Sequence, residues 1–190
     1  MARIVGISGS LRRGLYNSAL LRAAVAQMPD GAELAVATIA GIPLYDGDVE
    51  AGEGIPRPVA ELKDAIAAAD GVLLVTPEYN HSIPGVFKNA IDWLSRPSSD
   101  IKRVFGGRPF ALIGASQGSF GTILSQSAWL PVMRTLGTQT WFGARLMVPR
   151  AASVFDEGGN LKDAGVEEQL KQFLAGYVSF VRRREQTPAA

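Results

Sequence analysis

Short apolar runs alternate with longer segments of helical period along the chain, and no other feature restricts the fold as strongly. Residues 3–7, 33–37, 71–75 and 110–115 read as strands, and a fifth strand lies within 139–148. Between and after them, 17–28, 57–69, 84–94, 122–135 and 163–183 carry a helical period. Strand followed by helix, repeated, is how βαβ crossovers build a parallel sheet. The run 71–75 is apolar throughout, as a strand covered on both faces must be. The expectation is therefore an α/β fold, a doubly wound five-stranded parallel sheet with helices on both faces, in one domain over 1–190. A chain of 190 residues buries roughly 70% of its unfolded surface, enough for one core. Two Pro/Gly-rich stretches, 40–58 and 95–109, are expected to be long connections, a length that marks functional or solvated loops.

The side-chain inventory then removes whole chemistries. There is no cysteine and one histidine, so a disulfide framework, a thiolate nucleophile, an iron–sulfur cluster and a His₂ or His₃ metal site are all excluded. With 19 Lys and Arg against 18 Asp and Glu, the net charge gives no field for polyanions, although Arg12, Arg13, Arg22 and Arg182-Arg183-Arg184 form local basic patches. Nucleic acid and membrane are not expected partners. Met1-Ala2-Arg3 leads directly into an apolar strand with no signal-peptide pattern, and no apolar run is long enough to cross a bilayer, so a cytoplasmic location is expected.

In a doubly wound sheet the ligand crevice lies beyond the carboxyl ends of the strands. The loop after the first strand, Gly9-Ser10-Leu11-Arg12-Arg13-Gly14-Leu15-Tyr16-Asn17-Ser18, offers glycines, hydroxyls, a guanidinium and the open N–H groups of a helix start, which together suit a phosphate. An ordinary turn capped by Asn17 or Ser18 is the alternative. A P-loop is excluded by the missing Gly-Lys-Ser/Thr, and a dinucleotide site by the missing G-x-G-x-x-G and by a second strand that ends Val36-Ala37-Thr38 without an acid for a ribose. A receiver domain needs Asp at the end of the third strand, where Val75-Thr76-Pro77-Glu78 stands. A mononucleotide with a terminal phosphate remains. The loop after the third strand, Pro77-Glu78-Tyr79-Asn80-His81-Ser82-Ile83-Pro84, is polar, aromatic and stiffened by two prolines, suited to hold a flat heteroaromatic ring by its polar edge. In the helix that follows, Lys88 and Asp92 are spaced for an i,i+4 pair.

The Gly-Ser-Leu-Arg-x-x-x-x-Asn segment at 9–17, together with Pro-Glu-Tyr-Asn-x-Ser-x-Pro-Gly-x-x-Lys-Asn-Ala-Ile-Asp-Trp at 77–93, resembles the NADPH-dependent FMN reductase family, which includes quinone, ferric-chelate, chromate and azo-dye reductases. The second motif is long and specific, the first weaker, and the resemblance spans about residues 3–180. It implies a flavodoxin-like sheet of order 2-1-3-4-5, bound FMN, NADPH or NADH as co-substrate, and a small-molecule acceptor that also includes free flavin. By position, Ser10, Arg12, Tyr16 and Asn17 are implied to contact the FMN phosphate, and Pro77, Glu78, Tyr79 and Asn80 to line the isoalloxazine, chiefly through backbone. Two departures stand out. Leu15 replaces a common Ser, which bears on FMN affinity, and Gly121-Thr122-Ile123-Leu124 lacks an Arg linked in some relatives to tetramers, which makes a homodimer the expected assembly and a tetramer the alternative.

Gly114-Ala115-Ser116-Gln117-Gly118 also fits the G-x-S-x-G nucleophile elbow. That chemistry needs Ser, acid and His in chain order, and the sole histidine, His81, precedes Ser116, so a serine hydrolase is disfavoured. The resemblance instead implies that Ser116, Gln117 and Gly118 direct backbone N–H groups at the flavin. His81 is the one candidate catalytic side chain, and its role stays open between a solvated loop residue, a local partner and a group that orients an acceptor. Trp129, Trp141, Phe142 and the methionines read as core or subunit-contact residues. For an NADPH 2′-phosphate, Arg13, Arg96, Arg103 and Arg108 are equal candidates. The reading is an FMN-dependent NAD(P)H oxidoreductase working by ping-pong hydride transfer, with a flavodoxin-type electron carrier as the alternative and a cofactor-free interaction domain as a third.

Overall fold

The computed structural model describes residues 1–12 and 16–185. Strand β1 (Ala2–Ser8) lies between β2 (Ala32–Ala37) and β3 (Gly71–Val75), and β3 pairs with β4 (Pro109–Ala115), which carries β5 (Gln139–Thr140) on its outer edge. The order β2-β1-β3-β4-β5 is the expected one, and these pairings are all parallel.

Period-two alternation divides the strand side chains between two faces. Ile4, Leu73, Val75, Ala111 and Ile113 pack on one side with α1 (Tyr16–Ala26), α7 (Ala151–Val154) and α8 (Ala164–Glu185). Val5, Ile7, Val72, Leu74, Phe110 and Leu112 pack on the other with α3 (Arg57–Ala68), α4 (Gly85–Leu94), α5 (Ile101–Val104) and α6 (Ile123–Thr135). Strands β3 and β4 are buried along their full length, as two covered faces require. The phenol of Tyr177, on α8, sits 2.9 Å from the carbonyl oxygens of both Val72 and Pro109. Its burial pushes its ionisation well above the ordinary phenol range.

Two expectations need correction. The fifth strand is split: β5 pairs with the start of β4, and β6 (Leu146–Val148) pairs with its end. Between them Trp141 turns inward, its ring edge-on to Phe173 at 4.8 Å, and a Cβ on Gly143 would lie 2.6 Å from the indole, so the chain swings out around the ring. The two long connections are also not simple loops. The first contains α2 (Gly47–Glu53), capped by Asp46, whose Oδ1 accepts the Asp48 N–H at 2.9 Å. That helix buries no residue, so it leaves no apolar period in the sequence. The second contains a 3₁₀ turn (Ser98–Asp100) and α5.

Both connections are tied to the body. Asn89 and Trp93 of α4 donate to the Pro43 carbonyl at 2.8 and 2.9 Å, and Asn89 accepts from the Tyr45 N–H. The fully buried Lys63 of α3 donates to Asp100 at 2.8 Å and to the Arg96 carbonyl. Arg103 bridges Asp64 and Asp100 at 2.9 and 3.4 Å. Hydrogen bonding from Lys63 and then Arg103 holds the Asp100 carboxyl below the usual range, against the opposing effect of burial.

Candidate active site at the carboxyl ends of β1, β3 and β4

The loop after β3 starts from a buried polar hub. Thr76 continues the ladder through its N–H to Ile113, and its Oγ1 lies 2.9 Å from Ser125 Oγ and accepts from Trp129 Nε1 at 3.1 Å. Glu78 follows, and its Oε2 accepts the N–H groups of Leu124 and Ser125 at 2.9 and 3.0 Å. The carboxylate thus caps the first turn of α6, where open donors and the helix dipole favour negative charge. Tyr79-Asn80-His81-Ser82 then closes a tight hairpin, with reciprocal Tyr79 and Ser82 backbone bonds at 3.1 and 3.0 Å. Its central residues have φ of +49° at Asn80 and +60° at His81, the pattern of a type I′ turn. Asparagine tolerates that region, but the second position favours glycine. The His81 imidazole Nδ1 lies 3.4 Å from Glu78 Oε1.

The loop after β1 is locked to the same region. Gly9 donates to Val75 O at 2.9 Å, and a Cβ there would lie 2.1 Å from the Phe87 ring of α4. The glycine of the weaker motif is thus required by a side chain within the stronger one. Ser8 and Ser10 hydroxyls accept the N–H groups of Ser10 and Arg12 at 3.3 and 3.2 Å, which turns the chain toward α1. Arg12 is exposed and has no ion-pair partner among the described residues. Asn17 is buried and pairs like a strand residue with Ala115, donating to its carbonyl at 2.8 Å and accepting its N–H at 2.9 Å. One Nδ2–H of Asn17 therefore serves the fold, and its second remains to donate elsewhere.

After β4, Ser116 donates its hydroxyl to the Gly121 carbonyl at 2.6 Å. The imidazole that a hydrolase would need stands beside Glu78 instead, so Ser116 is not an activated nucleophile. Gln117 Nε2 reaches the Tyr16 hydroxyl at 3.5 Å, and Tyr16 stacks on Phe155.

These loops enclose a cleft of about 460 Å³, lined by Ser10, Arg12, Tyr16, Asn17, Pro77, Glu78, Tyr79, Asn80, Ser116, Gln117 and Gly118 together with His81 and Ala115. Every residue assigned from sequence to the cofactor thus reaches one place, although Arg13 and Leu15 lie outside the described residues. Ala115 carried no motif signal, and neither did the Thr76–Ser125–Trp129 hub beneath. Of the candidate cations, Arg108 stands before β4, at the opposite end of the sheet, where it donates to carbonyls of Val104 and Ala69, and Arg103 is held by Asp64 and Asp100. Arg96 lies over the Tyr45 ring at 5.2 Å.

The family model for NADPH-dependent FMN reductase matches residues 2–153. The chain belongs to that family. It is 42% identical over 181 residues to an NAD(P)H-dependent FMN reductase of Pseudomonas aeruginosa, covering 95% of this chain and 96% of the relative. It is 37% identical over 182 residues to a 2-hydroxy-1,4-benzoquinone reductase of Burkholderia sp., covering 96% and 97%. Among solved structures, FerB, a flavoenzyme NAD(P)H:(acceptor) oxidoreductase of Paracoccus denitrificans, superposes with a TM-score of 0.85 at 30% identity, covering 96% of this chain and 98% of that one. The protein is therefore an oxidoreductase of the FMN and NAD(P)H class.

The residues present fit FMN. The cleft has the volume of a small-molecule site. Among the described residues the N–H groups of Glu78, Asn80, Gln117 and Gly118 make no hydrogen bond, and such donors suit the electron-rich edge of a ring. A Cβ on Gly118 would meet nothing nearer than 3.7 Å, which leaves its backbone open to approach. No grouping of metal-ligating side chains occurs among the described residues, and no described helix is long and apolar enough to cross a membrane.

Proposed function

We propose that this chain holds FMN in the cleft and passes electrons from NAD(P)H to a small flat acceptor, with quinones first among them. The observation that carries the reading is the convergence of both motif loops and the loop after β4 on one cleft. Ser10, Arg12, Tyr16 and the second Nδ2–H of Asn17 hold the phosphate, with the helix dipole of α1 behind them. Pro77 to Asn80 and Ser116 to Gly118 hold the ring, chiefly by backbone. Bound FMN supplies the hydride-accepting and hydride-donating chemistry. The chain supplies rigidity: Glu78 clamps the loop after β3 to α6, and Asn17 clamps the loop after β1 to β4. Held by these loops, the ring would keep a face accessible to NAD(P)H and then to the acceptor, in a ping-pong sequence. The quinone assignment is supported by the Burkholderia relative; ferric chelates, chromate, azo compounds and free flavin are acceptors at the same face.

The reading extends to one flavodoxin-like unit acting in the cytoplasm as a homodimer. Ile123 and Leu130 of α6 and Phe142 are exposed by 41%, 43% and 69% and line one groove, an arrangement that supports subunit contact. Leu130→Glu is expected to halve the mass seen by sedimentation; an unchanged mass contradicts this surface.

The functional test is anaerobic mixing of the FMN-loaded protein with NADPH. Rapid bleaching of the flavin band, reversed by 1,4-benzoquinone, is the expected result. A persistent oxidised spectrum contradicts the reductase reading and favours the electron carrier.

A further inference from the structure

The backbone at His81 favours glycine, yet an imidazole stands there, 3.4 Å from the Glu78 carboxylate and lining the cleft. We propose that His81 is the general acid that delivers a proton to the acceptor oxygen, and that Glu78 is the residue that positions it. This rests on the reductase reading above.

The geometry carries it in three steps. The turn places Asn80 and His81 at φ of +49° and +60°, so the imidazole projects from a two-residue tip between two backbone bonds that fix its base. Left-handed backbone in a non-glycine residue points to a role for its side chain. Glu78, whose Oε2 is fixed by two N–H groups of α6, turns its Oε1 to within 3.4 Å of Nδ1. With Nδ1 on the carboxylate side, Nε2 is the ring nitrogen left for a ligand. Finally, His81 lines the same cleft as the cofactor residues and is mostly solvent-exposed, so it can recover a proton from water.

The chemistry needs such a group. A quinone becomes a hydroquinone by gaining two electrons and two protons. A hydride derived from NAD(P)H brings both electrons and one proton. The second comes from His81: its Nε2–H bond breaks as the O–H bond forms at the quinone oxygen, and the neutral imidazole is then reprotonated from solvent. No other lining group matches the task. As residue types, arginine and tyrosine are poor proton donors near neutrality, and Glu78 is committed to α6. The loop after β4 contributes Ser116, Gln117 and Gly118, none of which titrates in this range. Among the described residues, the first turns of α4 and α6 add only Lys88, bound to Asp92 at 2.7 Å.

The test compares the FMN-loaded full chain with His81→Gly, using NADPH and two acceptors. 1,4-Benzoquinone requires protons; ferricyanide takes one electron and none. Glycine suits the turn better than histidine, so folding is preserved. The ratio of quinone to ferricyanide turnover is expected to fall about a hundredfold or more in the variant, the low side of general-acid contributions. In the wild type the same ratio should decline as pH rises through titration of the imidazole, because the acid form donates. With one histidine in the chain, proton NMR reads that titration without assignment, and adding hydroquinone to the oxidised holoprotein should shift the resonance. An unchanged ratio in His81→Gly, or a wild-type ratio that bends where the imidazole does not titrate, overturns the inference and leaves the reductase reading standing. Failure of the wild type to turn over either acceptor overturns both.

Discussion

The two ends of the sheet treat their polar groups in opposite ways. At the amino end Lys63, Arg103 and Arg108 are all engaged by carbonyls and carboxylates, and Tyr177 pins α8 to β3 and β4. At the carboxyl end Arg12 has no ion-pair partner among the described residues, several N–H groups are open, and the turn at Asn80-His81 holds a left-handed backbone. The same residue types therefore serve stability at one end and are left available at the other. A ligand site costs stability where it stands, and the saturated end offsets that cost.

Substitutions that separate stability from binding can break this contrast. The largest effect is expected for Gly9→Ala, which forces a methyl into the Phe87 ring and should cost about 3 kcal/mol in urea unfolding while also impairing FMN binding. Phe87→Leu on the same background should recover part of that loss, and simple additivity of the two variants would contradict the contact. Next, Lys63→Met should cost about 2 kcal/mol, below the range for breaking a fully buried pair because Asp100 is partly exposed and keeps Arg103. Its FMN affinity should match wild type; a weakened cofactor site would couple the two ends and defeat the contrast.

Arg12→Ala is the mirror image. Loss of a charge-assisted contact should weaken FMN by about 1.5–3 kcal/mol, or roughly ten- to a hundredfold in Kd, with unfolding unchanged. Equal FMN affinity in Arg12→Ala and wild type would remove the guanidinium from the phosphate site. The smallest effect is the acid limb of stability. The Asp100 carboxyl titrates lower in the folded chain than when unfolded, so its contribution is complete above the unfolded carboxylate range and lost as pH falls through the folded value. Urea unfolding between about pH 5 and pH 2 should show a shallower decline in Lys63→Met than in wild type.

The sheet was legible in the sequence because β3 and β4 are buried on both faces and leave unbroken apolar runs. The residues round the cleft were legible because loops after consecutive parallel strands meet at one edge. Other features were hidden for physical reasons. Helix α2 buries nothing, and the split between β5 and β6 depends on one indole meeting α8. The second task of Asn17 depends on Ala115, distant in the chain, and Glu78 reveals its grip on α6 only once the loop and the helix are adjacent. Position along the strands ranked the arginines, which charge alone could not: Arg108 precedes β4, so it belongs to the far end of the sheet.

The most direct measurement is a crystal structure of the FMN complex. The phosphate should lie against Ser10, Arg12 and Asn17, with the ring edge facing the N–H groups of residues 78–80 and 117–118 and one ring face open. Flavin density in the neighbouring crevice beside the end of β2, among Arg22, Val36 and Thr38, would contradict the assignment of the cleft.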